Sequence, residues 1–208
     1  MATSSRIGLA IVAVLAVASA VAFAACGSST TSEEVSSSTD APAQKHPQAF
    51  AWLHPAPPPG SWHVSTLPNG KAQLAFPASW GSIVTDPGTR SAAIHSAHGG
   101  RLAGYLNATP QQGDETLADW SSFRLEHNQE EGDTNVKLVA AADNLMFRGG
   151  HGSCVIDDYR SSSGHQYREI ACIVAGTNAT TVVVGAAPPQ DWHSQSPSLE
   201  RAISAFKT

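Results

Sequence analysis

GGHGSCVIDDYRSSSGHQYREIACIVAG, residues 149–176, reads as a β-hairpin closed by a disulfide. The tip is Ser161-Ser162-Ser163-Gly164-His165, and Gly164 is placed to take the left-handed conformation of a short hairpin loop. Folding the two arms about Ser163 sets Cys154 opposite Cys172, Ile156 opposite Ile170 and Asp158 opposite Arg168. Tyr159 then meets Tyr167 on the other face. An opposed charge pair and an aromatic pair are cross-strand contacts that fix a register. The same register sets Asp157 against Glu169, two like charges, so that end is expected to be solvated or shifted by a bulge.

The cysteine count extends this reading. Three cysteines are odd for an exported chain, and the oddness disappears if Cys154 pairs with Cys172 while Cys26 is consumed by lipid. Closing such a loop constrains the unfolded chain by about 3 kcal/mol in the entropic account of disulfides. Disulfides persist in oxidising compartments, and the N-terminus points to one. Residues 1–6 are short and polar with one positive charge, residues 7–24 are an apolar run rich in Ala and Val, and Phe23-Ala24-Ala25-Cys26-Gly27 follows. That order is a signal peptide over residues 1–25. The small residues before Cys26 resemble a bacterial lipobox, with Phe23 where Leu is usual. Cys26 is then the lipidated N-terminus, held at the outer face of the cytoplasmic membrane, since two acyl chains together give stable anchoring.

Residues 26–59 divide in two. As far as residue 48 they are rich in Ser and Thr with hardly an apolar side chain, the composition of a disordered tether. Residues 49–59, AFAWLHPAPPP, carry Phe50, Trp52 and Leu53 ahead of a proline run, and are expected to pack on the domain as a stiff lead-in. Residues 60–208 then form one domain, long enough to bury roughly 68–70% of its unfolded surface.

Within that domain, residues 61–66 and 71–76 read as strands around the turn Pro68-Asn69-Gly70. Residues 83–85, 92–96 and 102–109 read as further short strands, punctuated by Gly88, Gly99 and Gly100. A helix is expected over residues 114–131, capped by Asp114 or Thr116, with Leu117, Trp120 and Phe123 on its buried face. Residues 135–147 read as a strand interrupted at Asp143-Asn144. The β-branched run at residues 180–184 reads as a central strand covered on both faces. Pro188-Pro189 ends it, and a last helix is expected to start at Ser196-Pro197, with Leu199, Ala202, Ile203 and Phe206 as its apolar stripe. The sum is an α+β fold of about six or seven mostly antiparallel strands with helices packed on the sheet, one of them C-terminal.

Phe76-Pro77-Ala78-Ser79-Trp80 at the end of the first hairpin, the helix around Leu117-Ala118-Asp119-Trp120, the cysteine hairpin, the Val-rich strand and the C-terminal helix follow one another in a recognisable order. This order resembles the PsbP/Mog1-like domain as it occurs in actinobacterial lipoproteins of the LpqN type. The resemblance implies an α/β/α sandwich around an antiparallel sheet and a cell-envelope setting. It implies no catalytic residues, because the family shares none, and its members are accessory or binding proteins.

The residues themselves point the same way. The net charge is −5, with no Lys/Arg run and no basic–aromatic interleaving, so nucleic acid is not an expected partner. The nine histidines are scattered, and the cysteines are better used on each other, so no metal site is expected. Gly152-Ser153-Cys154 is not a nucleophile elbow, because a strand follows it rather than a helix. No glycine-rich phosphate loop precedes a helix, so no nucleotide cofactor is expected either. Asp157 and Asp158 fall on opposite faces of a strand, which keeps them from sharing a calcium ion and makes solvation their default. Two non-enzymatic functions remain. One is an interaction module that docks on an envelope protein, with Trp52, Trp62 and Trp192 as the candidate patch. The other is a carrier or sensor of a small apolar ligand such as a lipid, which needs an apolar cavity of several hundred Å³ between sheet and helix.

Overall fold

The structure, a computed structural model, describes residues 47–97 and 100–208. The expected signal peptide, Cys26 and nearly all of the expected tether lie outside the described residues, as does His98. Among the described residues no helix is long and apolar enough to cross a membrane.

Seven antiparallel strands form the main sheet. They are β3 (Gly81–Ile83), β4 (Arg90–His95), β5 (Leu102–Pro110), β6 (Thr134–Phe147), β7 (Gly150–Arg160), β8 (Gln166–Gly176) and β9 (Thr180–Ala187). Their spatial order is β3-β4-β5-β9-β8-β7-β6, so β9 is the central strand and its residues 181–187 are buried. A separate two-stranded sheet pairs β1 (His63–Thr66) with β2 (Gln73–Phe76) around a turn in which Gly70 takes φ +73°. Two helices complete the chain, α1 (Trp120–Glu130) and α2 (Pro189–Ala205).

Period-two alternation divides the sheet residues between two cores. On β8, Ile170, Cys172 and Val174 point to the larger core, while Ala171 and Ile173 point to the smaller. On β9, Val183 and Ala187 belong to the first, and Val182 and Val184 to the second. The larger core is closed by α2 through Leu199, Ala202 and Ile203, together with Phe206 and the β2 residues Leu74 and Phe76. The smaller is closed by Trp120, with Phe123 and Leu117 at its margin. The layers are therefore helix, sheet, helix.

The β7–β8 hairpin has the register that the sequence implies. Cys154 pairs with Cys172, Ile156 with Ile170, Asp158 with Arg168 and Tyr159 with Tyr167, around a tip in which Gly164 takes φ +86°. Cys154 and Cys172 are joined by a disulfide. The expected fate of Asp157 and Glu169 is corrected. They pair without any bulge and neither is solvated, since both are buried at 0% and 1% exposure. What makes this possible is α1, whose Arg124 and Asn128 lie over them.

Other boundaries differ from the sequence reading for local reasons. The third strand begins at Gly81, two residues early, and ends before Thr85, whose hydroxyl is engaged with Thr89 and Ser91. Helix α1 starts at Trp120 rather than at residue 114. Glu115 instead accepts the N–H groups of Gln112 and Gly113 in a tight loop, and Asp119 bonds back to Thr116. Those two bonds hold the Asp119 carboxyl below its ordinary range. Helix α2 starts at Pro189 rather than at Ser196, because proline suits the first helical position. Pro197 is then inside the helix, where it has no N–H to donate to the carbonyl four residues back. Strand β6 shows register shifts beside Asp143-Asn144, and Asn144 takes φ +56°.

The lead-in expected ahead of Gly60 is integral to the larger core. Phe50 and Leu53 are buried there. The Ala56 N–H donates to Ser204 O at 3.1 Å, and Arg201 donates to Pro57 O at 3.2 Å.

Candidate functional site

The end of the sheet that carries the hairpin tip also receives the start of α2. Asp158 and Arg168 are opposite on β7 and β8, on the face that α2 covers. Arg168 Nε donates to Asp158 Oδ1 at 2.7 Å, and its Nη2 to Oδ2 at 2.8 Å. Both side chains are more than a third exposed, so this bidentate pair orients more than it stabilises. It keeps Arg168 a cation, its pKa raised mainly by the Asp158 hydrogen bond.

Pro189 begins α2, and Trp192 follows in the first turn. The Arg168 guanidinium lies 5.7 Å from the centre of the Trp192 ring, a cation–π arrangement. Between them opens a cleft of about 280 Å³ lined also by Asn135, Tyr159, Gln166 and Pro189. Asn135 turns the chain into β6 with φ +55°, a backbone state that asparagine tolerates better than most residues. Asp191 in the first turn of α2 pairs with Arg101 at 2.7 Å and ties the helix start to the residue just before β5. The cleft therefore offers an aromatic face, a fixed cation and amide groups, and its lining contains no serine, cysteine or histidine.

A second groove of about 310 Å³ runs along the opposite layer, between α1 and the segment after β5. Trp120, Phe123 and His127 form its helical wall, and their rings stack in sequence at 6.0 Å and 5.8 Å. Val182 of the central strand and Glu115 also line it.

The three tryptophans of the candidate patch do not line one cleft. Each is half-buried against the larger core, and the Trp192 cleft contains neither Trp52 nor Trp62. Trp52 packs at 6.1 Å from Phe50 in the lead-in. Sequence reasoning did not anticipate the buried group beneath α1. Arg124 grips Glu169 with bonds of 2.7 and 3.0 Å, and Asn128 donates to Asp157 Oδ2 at 3.2 Å. The signal was present in Trp120, Arg124 and Asn128, which are four apart and continue one face. Among the described residues no group of three or more His, Cys, Asp or Glu is assembled that could hold a metal ion.

No protein-family model matches this chain, and no curated protein matches it in sequence. Its likeness to known proteins is one of structure. Cyanobacterial PsbP (CyanoP) from Synechocystis sp. PCC 6803 aligns over 72% of this chain and 94% of its own, with a TM-score of 0.51 and 13% identity. The fold is PsbP-like. A Pseudomonas aeruginosa protein of unknown function, PA94, aligns over 70% of this chain and 95% of its own, with a TM-score of 0.46 and 18% identity. LpqN of Mycobacterium tuberculosis, which is involved in cell envelope biogenesis, aligns over 73% and 80% with a TM-score of 0.37 and 12% identity. At these identities the likeness describes a fold and carries over no residue roles.

Proposed function

We propose that this chain is a cell-envelope lipoprotein whose PsbP-like domain is a non-catalytic docking module for another envelope protein. In this reading Cys26 anchors it to the outer face of the cytoplasmic membrane. The observation that carries the docking role is the Trp192–Arg168 cleft. Tryptophan, tyrosine and arginine are the residues that dominate protein interfaces when they are pre-positioned. Here Arg168 is oriented by Asp158, and Trp192 by the first turn of a helix tied down through Arg101 and Asp191. The cleft is open on one side, as a partner's side chain would need.

The test uses the full chain in its own cells with a photo-crosslinking side chain at Gln166, on the rim of the cleft. A discrete protein adduct that disappears in Trp192→Ala supports docking. Adducts unchanged by Trp192→Ala count against this cleft. Fractionation of Cys26→Ala tests the anchor: the variant is expected in the soluble fraction, and retention in the membrane counts against lipidation.

The groove beside α1 favours a second reading, a carrier of a small apolar ligand. Its aromatic wall and valine floor lie between helix and sheet. At about 310 Å³ it is near the lower limit of about 300 Å³ for small-molecule sites. A stoichiometric lipid-mass adduct in native mass spectrometry of the purified chain supports this second reading over the first.

A further inference from the structure

Two sets of contacts hold α1 on the sheet. Its N-terminal end is fixed by burial of Trp120, whose Nε1 donates to Ala171 O at 2.9 Å, and by Ser153 Oγ donating to Leu117 O at 2.6 Å. Its C-terminal half rests on the cross-strand pair Asp157 and Glu169 through Arg124 and Asn128. Opposed residues of antiparallel strands have Cα atoms about 4.5–5.5 Å apart, so two buried carboxyls face each other here. Both bonds of Arg124 go to Glu169. Asp157 is left with a neutral amide on Oδ2, and its Oδ1 has no hydrogen-bond partner among the described residues.

We propose that Asp157 is a proton-operated latch for α1: with its carboxyl neutral the helix lies closed on the sheet, and ionisation of that carboxyl frees residues 124–130. The charge count supports this. The groups that face Asp157 are Glu169 from β8, Arg124 from α1, Asp133 from the turn after α1 and Tyr159 from β7 itself, while Asp158 lies on the other face of β7, paired with Arg168. From β6 the opposed residue is the apolar Leu138. One guanidinium is therefore set among several carboxyls. Burial, and then the Glu169 charge, push the Asp157 carboxyl up to about 8, against the pull of Arg124. Ionisation releases one proton to solvent and leaves a buried net negative charge on the Asp157–Glu169–Arg124 group.

An ionised Asp157 needs water, and the two sides of the site differ in how readily they can admit it. The β7–β8 and β8–β9 ladders run without a register shift, and the β6–β7 ladder, which shifts beside Leu138, sets that apolar residue against Asp157. Arg124 already lines the open groove with Phe123 and His127. Lifting the end of α1 is thus the least disruptive way to hydrate the carboxylate. The latch would widen that groove whatever the domain binds.

The sign follows from linkage. The closed state binds the proton more tightly than the open state, whose carboxyl titrates near the ordinary value of about 4. Opening should therefore grow with rising pH, by up to about tenfold per unit, and level off above about pH 8. The experiment is hydrogen exchange on the full chain in detergent from pH 5 to 9, with protection corrected for intrinsic exchange. The expected result is that residues 124–130 lose protection across that window while β8 and β9 do not, and that Asp157→Asn is flat. Glu169→Gln should level off at a lower pH, because the like charge is gone. Protection that is pH-independent in the wild type, or that falls equally in Asp157→Asn, overturns the latch. If Asp157→Asn does not fold, the carboxyl ¹³C shift of Asp157 in the wild type decides: titration near the ordinary value of about 4 overturns it as well.

Discussion

Replacing Arg124 by methionine removes one guanidinium and leaves its aliphatic stem nearly intact. The structure gives the size of the effect. The Arg124 and Glu169 side chains are 14% and 2% exposed, and two charge-assisted bonds of 2.7 and 3.0 Å join them. Breaking a pair this deeply buried from one side leaves an uncompensated charge and costs about 3–5 kcal/mol. Arg168→Met is the control. That arginine makes an equally short bidentate pair with Asp158, but the side chains are 35% and 38% exposed, and exposed pairs contribute about 0–1 kcal/mol. Urea unfolding at pH 7, with the disulfide intact, measures both. The double variant Arg124→Met, Glu169→Leu should recover much of the loss, because an apolar pair of similar volume replaces the ions. If Arg124→Met costs less than about 1 kcal/mol, or no more than Arg168→Met, then burial does not set the strength of these pairs and the reasoning fails.

Three further outcomes are expected. Mass spectrometry of a non-reduced digest should show Cys154 linked to Cys172, and Cys154→Ala with Cys172→Ala should lose about 3 kcal/mol of unfolding free energy; free thiols in the digest would contradict the structure. Gly104→Ala should destabilise by about 1–3 kcal/mol in the same assay, since the new Cβ would sit 2.7 Å from the buried Trp80 ring, and a neutral result would show that Trp80 can shift. The unfolding free energy of the wild type should fall as pH rises from about 4 towards 8, the window between the unfolded and folded values of Asp157, and Asp157→Asn should flatten that dependence in a chemical-denaturation series.

The hairpin was readable from sequence because its information is local. One glycine marks the tip, and the matched pairs on either side agree on a single register. The central place of the Val-rich strand was readable because a run without polar alternation has to be covered on both faces. The Asp157–Glu169 pair was not, because its solvent is excluded by a helix that precedes it in the chain, and nothing in residues 149–176 records that helix. The start of α2 was missed for a different reason. A Pro-Pro step ends a strand and can also begin a helix, and only the Arg101–Asp191 and Trp192–Arg168 contacts favour the second use. The different settings of Trp52 and Trp192 are likewise tertiary. Position near a terminus or loop does not reveal that Trp52 is held beside Phe50 while Trp192 borders a cleft.

The central position of β9 bears on how the protein folds. Strands β3-β4-β5 and β6-β7-β8 share no ladder, and β9 pairs with β5 on one side and β8 on the other. Until Thr180–Ala187 arrives, the chain can hold two half-sheets, each with an unpaired edge of the kind that invites wrong pairing. Contacts this distant in sequence form slowly, because long loops must close before they are rewarded. The closing strand is therefore also the gatekeeper of assembly, and a lesion at Val182, Val183 or Val184 should act first on the rate at which the two halves join.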